Sequence, residues 1–593
     1  MRILLALILG FALTFFLCEG VRRLTLRFPS FKKYSFRYSL PGFVLLLGGI
    51  IVGFINYNSS NEFLVGLFFS GAGFGLITYH LLARQYVLRE ETERRFIVGH
   101  QKQLARFMEA LPGLTMWTAI TSPLWLSFTL PFAVAYLIIL ADIYWLISGI
   151  KVAVMIFLGY KKMEWAKSQD WITKLKTDFP DEWKEYYHLI VIPSYKESLE
   201  VLNPVFEAIA NSDYPKDKIF LAVGFEAWAD PDQVTANIKA LKDYENTIGG
   251  VLTTIHQLGT GEVKGPATNR NYIIRQAVKY LQHKTVPQDK VIVTTLDADF
   301  VIHPRFLAGA LHKYLSTPIQ IRDKRTYTGV FLYYNNYWQA PTPMRLIAAG
   351  TSFWQLAEMY GSDKYRNFAS MSINLKPLLE IGLWMIDKVN DDSGFYWKAY
   401  YHFNGDYKVI PHFMPINGDT VLDVNLAKTF QNQYLQQKRW AYGAEHIPYA
   451  VQQYFNSPET DFWDKTDKLF FAIWGYVKWG MLALFVSFAG LLIPIINPSF
   501  SQSVVAYNLP VISSWILTVA FLGMFATIYV HEKTVPKRPA NWSKVQKLWS
   551  YIQWVLVPII MVTISALPVI DALTTLMLGK RLEFRVTNKA RIN

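Results

Sequence analysis

The chain of 593 residues contains a single cysteine, Cys18, which excludes an intrachain disulfide framework. Cys18 lies inside an apolar run and reads as a small hydrophobe. Charge is the second scarcity. Only 18% of the residues are charged, against about a quarter in a soluble protein. With 52% hydrophobic residues, this composition argues against an ordinary water-soluble globule. Acidic charge is scarcer than basic, with 45 Asp and Glu against 59 Lys and Arg, for a formal charge of +14. Much of that excess sits in short loops between apolar stretches. This placement points to membrane topology and anionic lipid rather than to nucleic acid.

What is present is a set of long apolar runs, and a spanning helix needs about 20 such residues. Residues 3–18, 42–56 and 63–83 are candidates, and Arg2 ahead of the first, with no small-x-small cleavage site, predicts an uncleaved anchor. Residues 114–160 are too many for one helix and contain Pro123 and Pro131, so two crossings are expected, divided near Pro131. Later spans are expected at 469–496 and 509–530, and two short membrane segments at 548–578, which holds Pro558 and Pro568. Arg22, Arg23, Lys32, Lys33, Arg84, Arg94, Arg95, Lys537 and Arg538 crowd alternate loops, and the positive-inside rule makes those loops cytoplasmic. Asn58-Ser59-Ser60 matches a glycosylation acceptor but lies too close to the bilayer to be used. Three regions follow: membrane helices over 1–160, a cytoplasmic domain over 161–464, and membrane helices with a tail over 465–593. Asp142, Lys151 and Lys478 fall within spans and are candidates to line or support a path through them. Snorkelling to the interface is the blander account of the two lysines.

Within the polar region, β-rich runs at 188–192, 219–223, 251–255 and 291–296 alternate with helical patterns. One carries Leu202, Val205, Phe206 and Ile209, and another covers 271–281. Such alternation predicts an α/β domain with a largely parallel sheet. Ligands bind such sheets beyond the carboxyl ends of the strands, where Glu197, Asp297 and Asp299 fall.

Asp297-Ala298-Asp299 follows the apolar run 291–296. On an extended segment the two carboxylates face one side, and they repel unless a cation joins them. Hard oxygen ligands suit Mg²⁺ or Mn²⁺, which bridge carboxylates and substrate phosphates. A solvated turn is the blander reading of so short a motif, and the apolar strand before it favours the metal. Asn390-Asp391-Asp392-Ser393-Gly394 is also a turn signal, so Asp391 and Asp392 read locally as cap or turn acids. Gln436-Gln437-Lys438-Arg439-Trp440 lies in a run, 427–443, that reads as a helix. Trp440 and Tyr442 suit a bilayer surface.

Together these residues resemble the membrane-embedded processive glycosyltransferases of family 2, the group of cellulose, chitin and hyaluronan synthases. Ile192-Pro193-Ser194-Tyr195-Lys196-Glu197 resembles the family's first strand and nucleotide-contact turn. Lys264-Gly265-Pro266-Ala267-Thr268-Asn269 resembles its lysine-to-asparagine segment, and Asp297-Ala298-Asp299 its metal motif. Asn390-Asp391-Asp392 stands where the family has T-E-D, and Gln436 to Trp440 is similar to its Q-x-x-R-W. Phe584-Arg585-Val586-Thr587-Asn588-Lys589 is similar to its cytoplasmic tail. The family's base-contacting Asp after the second strand is replaced by Glu226, in Gly224-Phe225-Glu226. No cyclic-dinucleotide domain is expected after the last span.

The resemblance implies a multi-pass helical membrane protein of the cell membrane with a cytoplasmic GT-A (Rossmann-like) domain. It implies an inverting hexosyltransferase that extends a polysaccharide and couples this to export. The donor would be a nucleotide sugar, a UDP-sugar first among them, held by Pro193, Tyr195, Glu197, Glu226, Lys264 and Asp297. Mg²⁺ or Mn²⁺ would sit on Asp299 and Asp297. Asp392 would be the general base, and Gln436, Arg439 and Trp440 would face the diphosphate and acceptor. Two rivals stand beside this reading. One is a non-processive transferase acting on a polyprenyl phosphate or other lipid, which would need neither Q-x-x-R-W nor a channel. The other is a transporter with a regulatory domain, though no inverted repeat is evident.

Overall fold

The protein is described by a computed structural model covering residues 101–582 except Ser503. The expected spans at 3–18, 42–56 and 63–83, Cys18, Asn58, the basic residues before 101 and the tail from Phe584 lie outside the described residues.

The long apolar run does divide at its proline. Helix α1 (Gln101–Thr129) ends at Leu130, and Pro131 opens α2 (Pro131–Ser168). Proline fits a helix's first turn because its missing N–H has no intrahelical partner there. Of the two crossings expected here, only the second, Phe132–Ser168, is long and apolar enough to span a membrane. Near the start of α1, Arg106 donates to the Leu576 carbonyl at 2.8 Å, while near its end the Ser127 carbonyl accepts from Asn497 at 2.7 Å. At the end of α2, Arg305 of the sheet domain donates to the carbonyls of Lys167 and Gln169, each at 2.9 Å.

The sheet domain opens with β1 (Tyr187–Pro193), α3 (Leu199–Ala210), β2 (Ile219–Glu226), β3 (Gly250–His256), α4 (Pro266–His283) and β4 (Val291–Thr295). These strands pair in parallel, in the order β3-β2-β1-β4. Every residue of β2 is buried, as a central strand covered on both faces requires. Each fully buried Val, Leu or Ile contributes roughly 1.5–3 kcal/mol to this layer.

The second half corrects the expectation of a largely parallel sheet. It consists of β5 (Val301–Ile302), β6 (Arg325–Leu332), α5 (Thr342–Gly361), β7 (Met371–Asn374), α6 (Asp391–His402), β8 (Lys408–Asn417) and α7 (Leu426–Ala441). Strand β7 runs antiparallel to both β4 and β6, β8 is parallel to β6, and β5 closes the edge antiparallel to β8. The result is one mixed eight-stranded sheet, β3-β2-β1-β4-β7-β6-β8-β5.

Four stretches of the described residues are long and apolar enough to cross a membrane: Phe132–Ser168, Phe462–Ile493, Tyr507–Thr534 and Lys544–Met577. The second is α8 (Phe462–Ile496), and the third joins α9 (Val504–Leu522) to α10 (Met524–Thr534). The fourth was expected as two short segments and is instead one helical run. Its prolines, Pro558 and Pro568, each sit in the first turn of a helical piece, where they cost little. Between those pieces lies a π-helical turn, Met561–Ala566, and the run ends in α11 (Leu567–Met577).

Candidate active site

The site lies at the carboxyl ends of β1, β2 and β4. One cavity of about 1870 Å³ takes in every residue expected to hold the donor, metal or acceptor or to act as the base. Pro193, Tyr195, Glu197, Glu226, Lys264, Asp297, Asp299, Asp392, Gln436, Arg439 and Trp440 all line it. The same cavity continues between helices long and apolar enough to cross a membrane, past Tyr144, Trp474, Lys478, Trp479 and Ser513.

The acid pair lies on a turn rather than on the extended segment expected. The chain bends after Leu296, and the Phe300 amide donates to the Asp297 carbonyl at 2.9 Å. Asp299 is buried, and its Oδ2 accepts from the Asp419 amide at 2.8 Å. Asn335 donates to the Asp299 carbonyl at 2.9 Å and to the Asp419 carboxylate at 2.8 Å. The turn is therefore held by residues that follow β6 and β8.

Arg270 organises the other acids. It lies on α4 with its side chain 1% exposed, and one guanidinium reaches three carboxylates. The distances are 2.6 Å to Asp391, 3.2 Å to Asp297 and 3.5 Å to Asp392. Burial pulls the Arg270 pKa down, but Asp391, Asp392 and Asp297 outweigh it, and the net direction is up. For Asp392, burial is the largest cause of a pKa well above the usual carboxylate range. Asp391 adds to that rise, and Arg270 opposes it. Asp391 and Asp392 form the first turn of α6, where helix N-termini favour negative charge.

The segment after α7 holds this acidic turn from behind. Glu445 accepts from the amides of Val389 (2.8 Å) and Asn390 (2.9 Å), and His446 contacts the Asn390 carbonyl. Asn390 donates to the Trp440 carbonyl at 3.4 Å, joining the acid turn to the Q-x-x-R-W helix. Arg439 is half-buried within the field of Asp297, Asp391 and Asp392, and desolvation lowers its pKa from the usual arginine value. The Trp440 ring lies 6.5 Å from that of Tyr333. Gln436 accepts from Gln433 at 3.3 Å.

At the far end of the pocket, Glu226 closes β2 and pairs in register with His256, which closes β3. The His256 ring spans two carboxylates, with Nδ1 2.8 Å from Glu226 and Nε2 3.0 Å from Glu262. Burial pushes the Glu226 carboxyl up to about 7, against the pull of His256. Trp228 packs near His256 and Tyr195, and Lys264 Nζ lies 5.5 Å from the Trp228 ring centre. Glu197 folds back on its own turn. Its Oε2 accepts from Ser194 Oγ (2.9 Å) and from the amides of Tyr195 (2.7 Å) and Lys196 (3.1 Å). Asn269 crosses to the Gly224 carbonyl at 3.0 Å, and a Cβ on Gly224 would come within 2.2 Å of it. That contact explains the glycine.

Arg270, Asp419, Asn335, Glu262 and His256 are additions to the residues read from the sequence. Of the intramembrane charges, Lys478 lines the cavity and Asp142 is fully buried against Ser513. Lys151 is exposed and is not among the lining residues. Among the described residues no three or more His, Cys, Asp or Glu side chains cluster as a metal cage. Mg²⁺ does not need one, because it takes one or two carboxylates and completes its shell with phosphates and water. Asp297 and Asp299 on the cavity wall fit that donor set.

No protein-family model and no curated protein matches the chain. Solved structures do. A mannosyltransferase from Pyrobaculum calidifontis, in complex with GDP-Man and Mn²⁺, is similar at TM-score 0.39 and 15% identity, covering 75% of this chain and 100% of its own. S. aureus TarS 1–349, in complex with UDP-GlcNAc, is similar at TM-score 0.31 and 12% identity, covering 59% and 93%. GalNAc-T7 with UDP, GalNAc and Mn²⁺ is similar at TM-score 0.26 and 10% identity, covering 48% and 54%.

Proposed function

We propose that this protein is an inverting hexosyltransferase, processive and membrane-embedded, that uses a nucleotide sugar to extend a polysaccharide and passes the product between its own membrane helices. The observation that carries this reading is the single cavity. It joins the acid turn, the acid Asp392, Arg439 and Trp440 to the inner faces of the membrane helices.

The chemistry divides among these residues. The nucleobase end of the donor lies by Glu226 and Trp228, and its diphosphate by Asp297, Lys264 and Arg439. The acceptor hydroxyl is a poor nucleophile. Asp392, as the carboxylate, takes its proton as the oxygen bonds to the anomeric carbon and the diphosphate departs from the opposite face. Such base assistance contributes about 10²–10⁴-fold. Arg439 receives the charge that develops on the departing phosphate, in a pocket where such pairing is strong. Mg²⁺ or Mn²⁺, on Asp299 with Asp297, would supply further neutralisation of that charge. Trp440 offers a flat face to the acceptor sugar.

The helix arrangement gives the product its exit. A hydroxyl-rich polymer loses its hydrogen bonds in hydrocarbon, and a path lined by Ser513, Trp479 and Lys478 replaces them. With the basic loops inside, the domain spanning 161–464 faces the cytoplasm of a cell membrane. The test is reconstitution into sealed vesicles with the domain outside and labelled nucleotide sugars added. Polymer that accumulates in the lumen, protected from added glycosidase, supports the reading. Addition of one sugar to a lipid phosphate, or product that stays accessible outside, replaces it with the lipid-acceptor transferase.

A further inference from the structure

Helix α7 has two working faces. Gln436, Arg439 and Trp440 face the cavity. Tyr434 and Lys438, one turn apart from each other, lie opposite, since two residues rotate a helix by about 200°. Both reach Asp571 on α11. Lys438 Nζ lies 2.8 Å from Asp571 Oδ2, and Tyr434 donates to the same oxygen at 3.1 Å. Asp571 also receives Thr575 from its own helix, at 3.4 Å.

Asp571 belongs to the fourth apolar stretch, Lys544–Met577. A carboxylate within such a stretch is costly and persists where a partner or a function retains it. Here the partner is the residue between Gln437 and Arg439, inside the motif itself. The two helices are joined nearby as well. Tyr442, just past α7, donates to the Lys580 carbonyl at 3.2 Å. Arg106 of α1 caps the Leu576 carbonyl at 2.8 Å. Upstream in the same run, Ser565 of the π turn accepts from Trp479 at 2.9 Å, and both line the cavity.

We propose that Asp571 is a positioning residue for the transfer reaction. From the membrane helix it fixes the rotation of α7 through Lys438 and Tyr434, so that Arg439 and Trp440 face Asp392. The role rests on the function proposed above. It assigns to the last described membrane helix a direct hold on the catalytic helix. A helix free to roll about its axis would carry Arg439 and Trp440 away together, because they share a face. The donor's nucleoside end, on β2 and β3, would not sense the change.

The experiment uses the full-length protein in lipid nanodiscs. Asp571→Asn and Lys438→Met should each lower kcat on the order of tenfold, the size expected for a coupled charged pair. Mn²⁺-dependent UDP binding, measured by calorimetry, should weaken far less than kcat falls, because Asp297, Lys264 and the nucleoside contacts on β2 and β3 stay in place. The charge exchange, Lys438→Asp with Asp571→Lys, should recover most of the lost turnover. Tyr434→Phe removes only a hydroxyl, and should lower kcat two- to threefold and shorten the product, which keeps the test open if a charge variant does not fold. Wild-type kcat in Asp571→Asn or in Tyr434→Phe overturns the proposal. So does a loss of kcat matched by an equal loss of UDP binding, or one that the exchange fails to repair. Wild-type protein that transfers no sugar overturns the functional reading instead, and the two failures are thereby told apart.

Discussion

Arg270 lies 2.6 Å from Asp391, and that contact makes the acid site possible. Three carboxylates converge on this end of the sheet, and the same guanidinium reaches the other two. Without it, burial and mutual repulsion would drive protons onto the acids. Asp391 thus acts as the anchor, leaving Asp392, at 3.5 Å and 24% exposed, as the carboxylate that meets the cavity.

Arg270→Lys is expected to abolish turnover while keeping the positive charge. A lysine has no planar fork with which to hold Asp391 and Asp297 together. Arg270→Met should also destabilise the protein by about 3–5 kcal/mol, because it strands buried charge. Thermal unfolding and a turnover assay on the two variants separate the effects. Near-wild-type turnover in the lysine variant contradicts the hub role.

Asp392→Asn should leave donor binding intact and lower kcat by about 10²–10⁴-fold, since a base acts only as the acceptor attacks. Full activity in the variant would move the base elsewhere, with Asp391 the first residue to test.

Transfer should rise with pH as Asp392 loses its proton. Because burial and Asp391 hold its pKa up, the acid limb of the kcat profile should lie well above the range of an exposed aspartate. Asp391→Asn removes a like charge, so Asp392 ionises more readily and the limb should move to lower pH. A limb that stays put, or moves upward, rejects Asp392 as the titrating group.

Asp299→Asn should weaken Mn²⁺-dependent binding of the nucleotide and abolish transfer. Calorimetry with UDP, with and without Mn²⁺, checks it, and unchanged metal dependence would falsify the assignment.

His256→Gln should raise the donor KM about tenfold with kcat kept at saturating donor. The ring holds Glu226 and the Glu262 loop at once, and a buried charged hydrogen bond is worth about 1.5–3 kcal/mol. An unchanged donor KM would show that the pair has no part in donor binding.

The first half of the domain was legible because buried parallel strands are near-continuous apolar runs, as at Val291–Thr295. The second half was hidden by short and irregular strands. Strand β5 has 2 residues and β7 has 4. Strand β8 carries Pro411 and Pro415 on either side of a register shift against β6. The residues expected to bind donor, metal and acceptor, and the expected base, all line one cavity, yet their organiser was missed. Arg270 lies on the stripe of Ile273, Ile274 and Ala277, all buried. A lone arginine on an apolar helix face demands acidic partners, and that was the available signal. Glu226 and His256 could have been paired from their common place at the ends of adjacent strands. Asp419 and Asn335 left no such trace, since their role depends on how β6 and β8 end side by side.

The π turn at Met561–Ala566 sets the phase of everything after it. A π turn holds one residue more than an α turn, so it offsets the following helix by about 100°. Asp571 therefore points at α7 because of where the extra residue lies, not only because of its own identity. Deleting one residue there, to restore an ordinary turn, would swing Asp571 off Lys438 without changing a single side chain at the contact. The apolar helix α11 is keyed to α7 by counting, and a shift of one residue is enough to turn the key out of its lock.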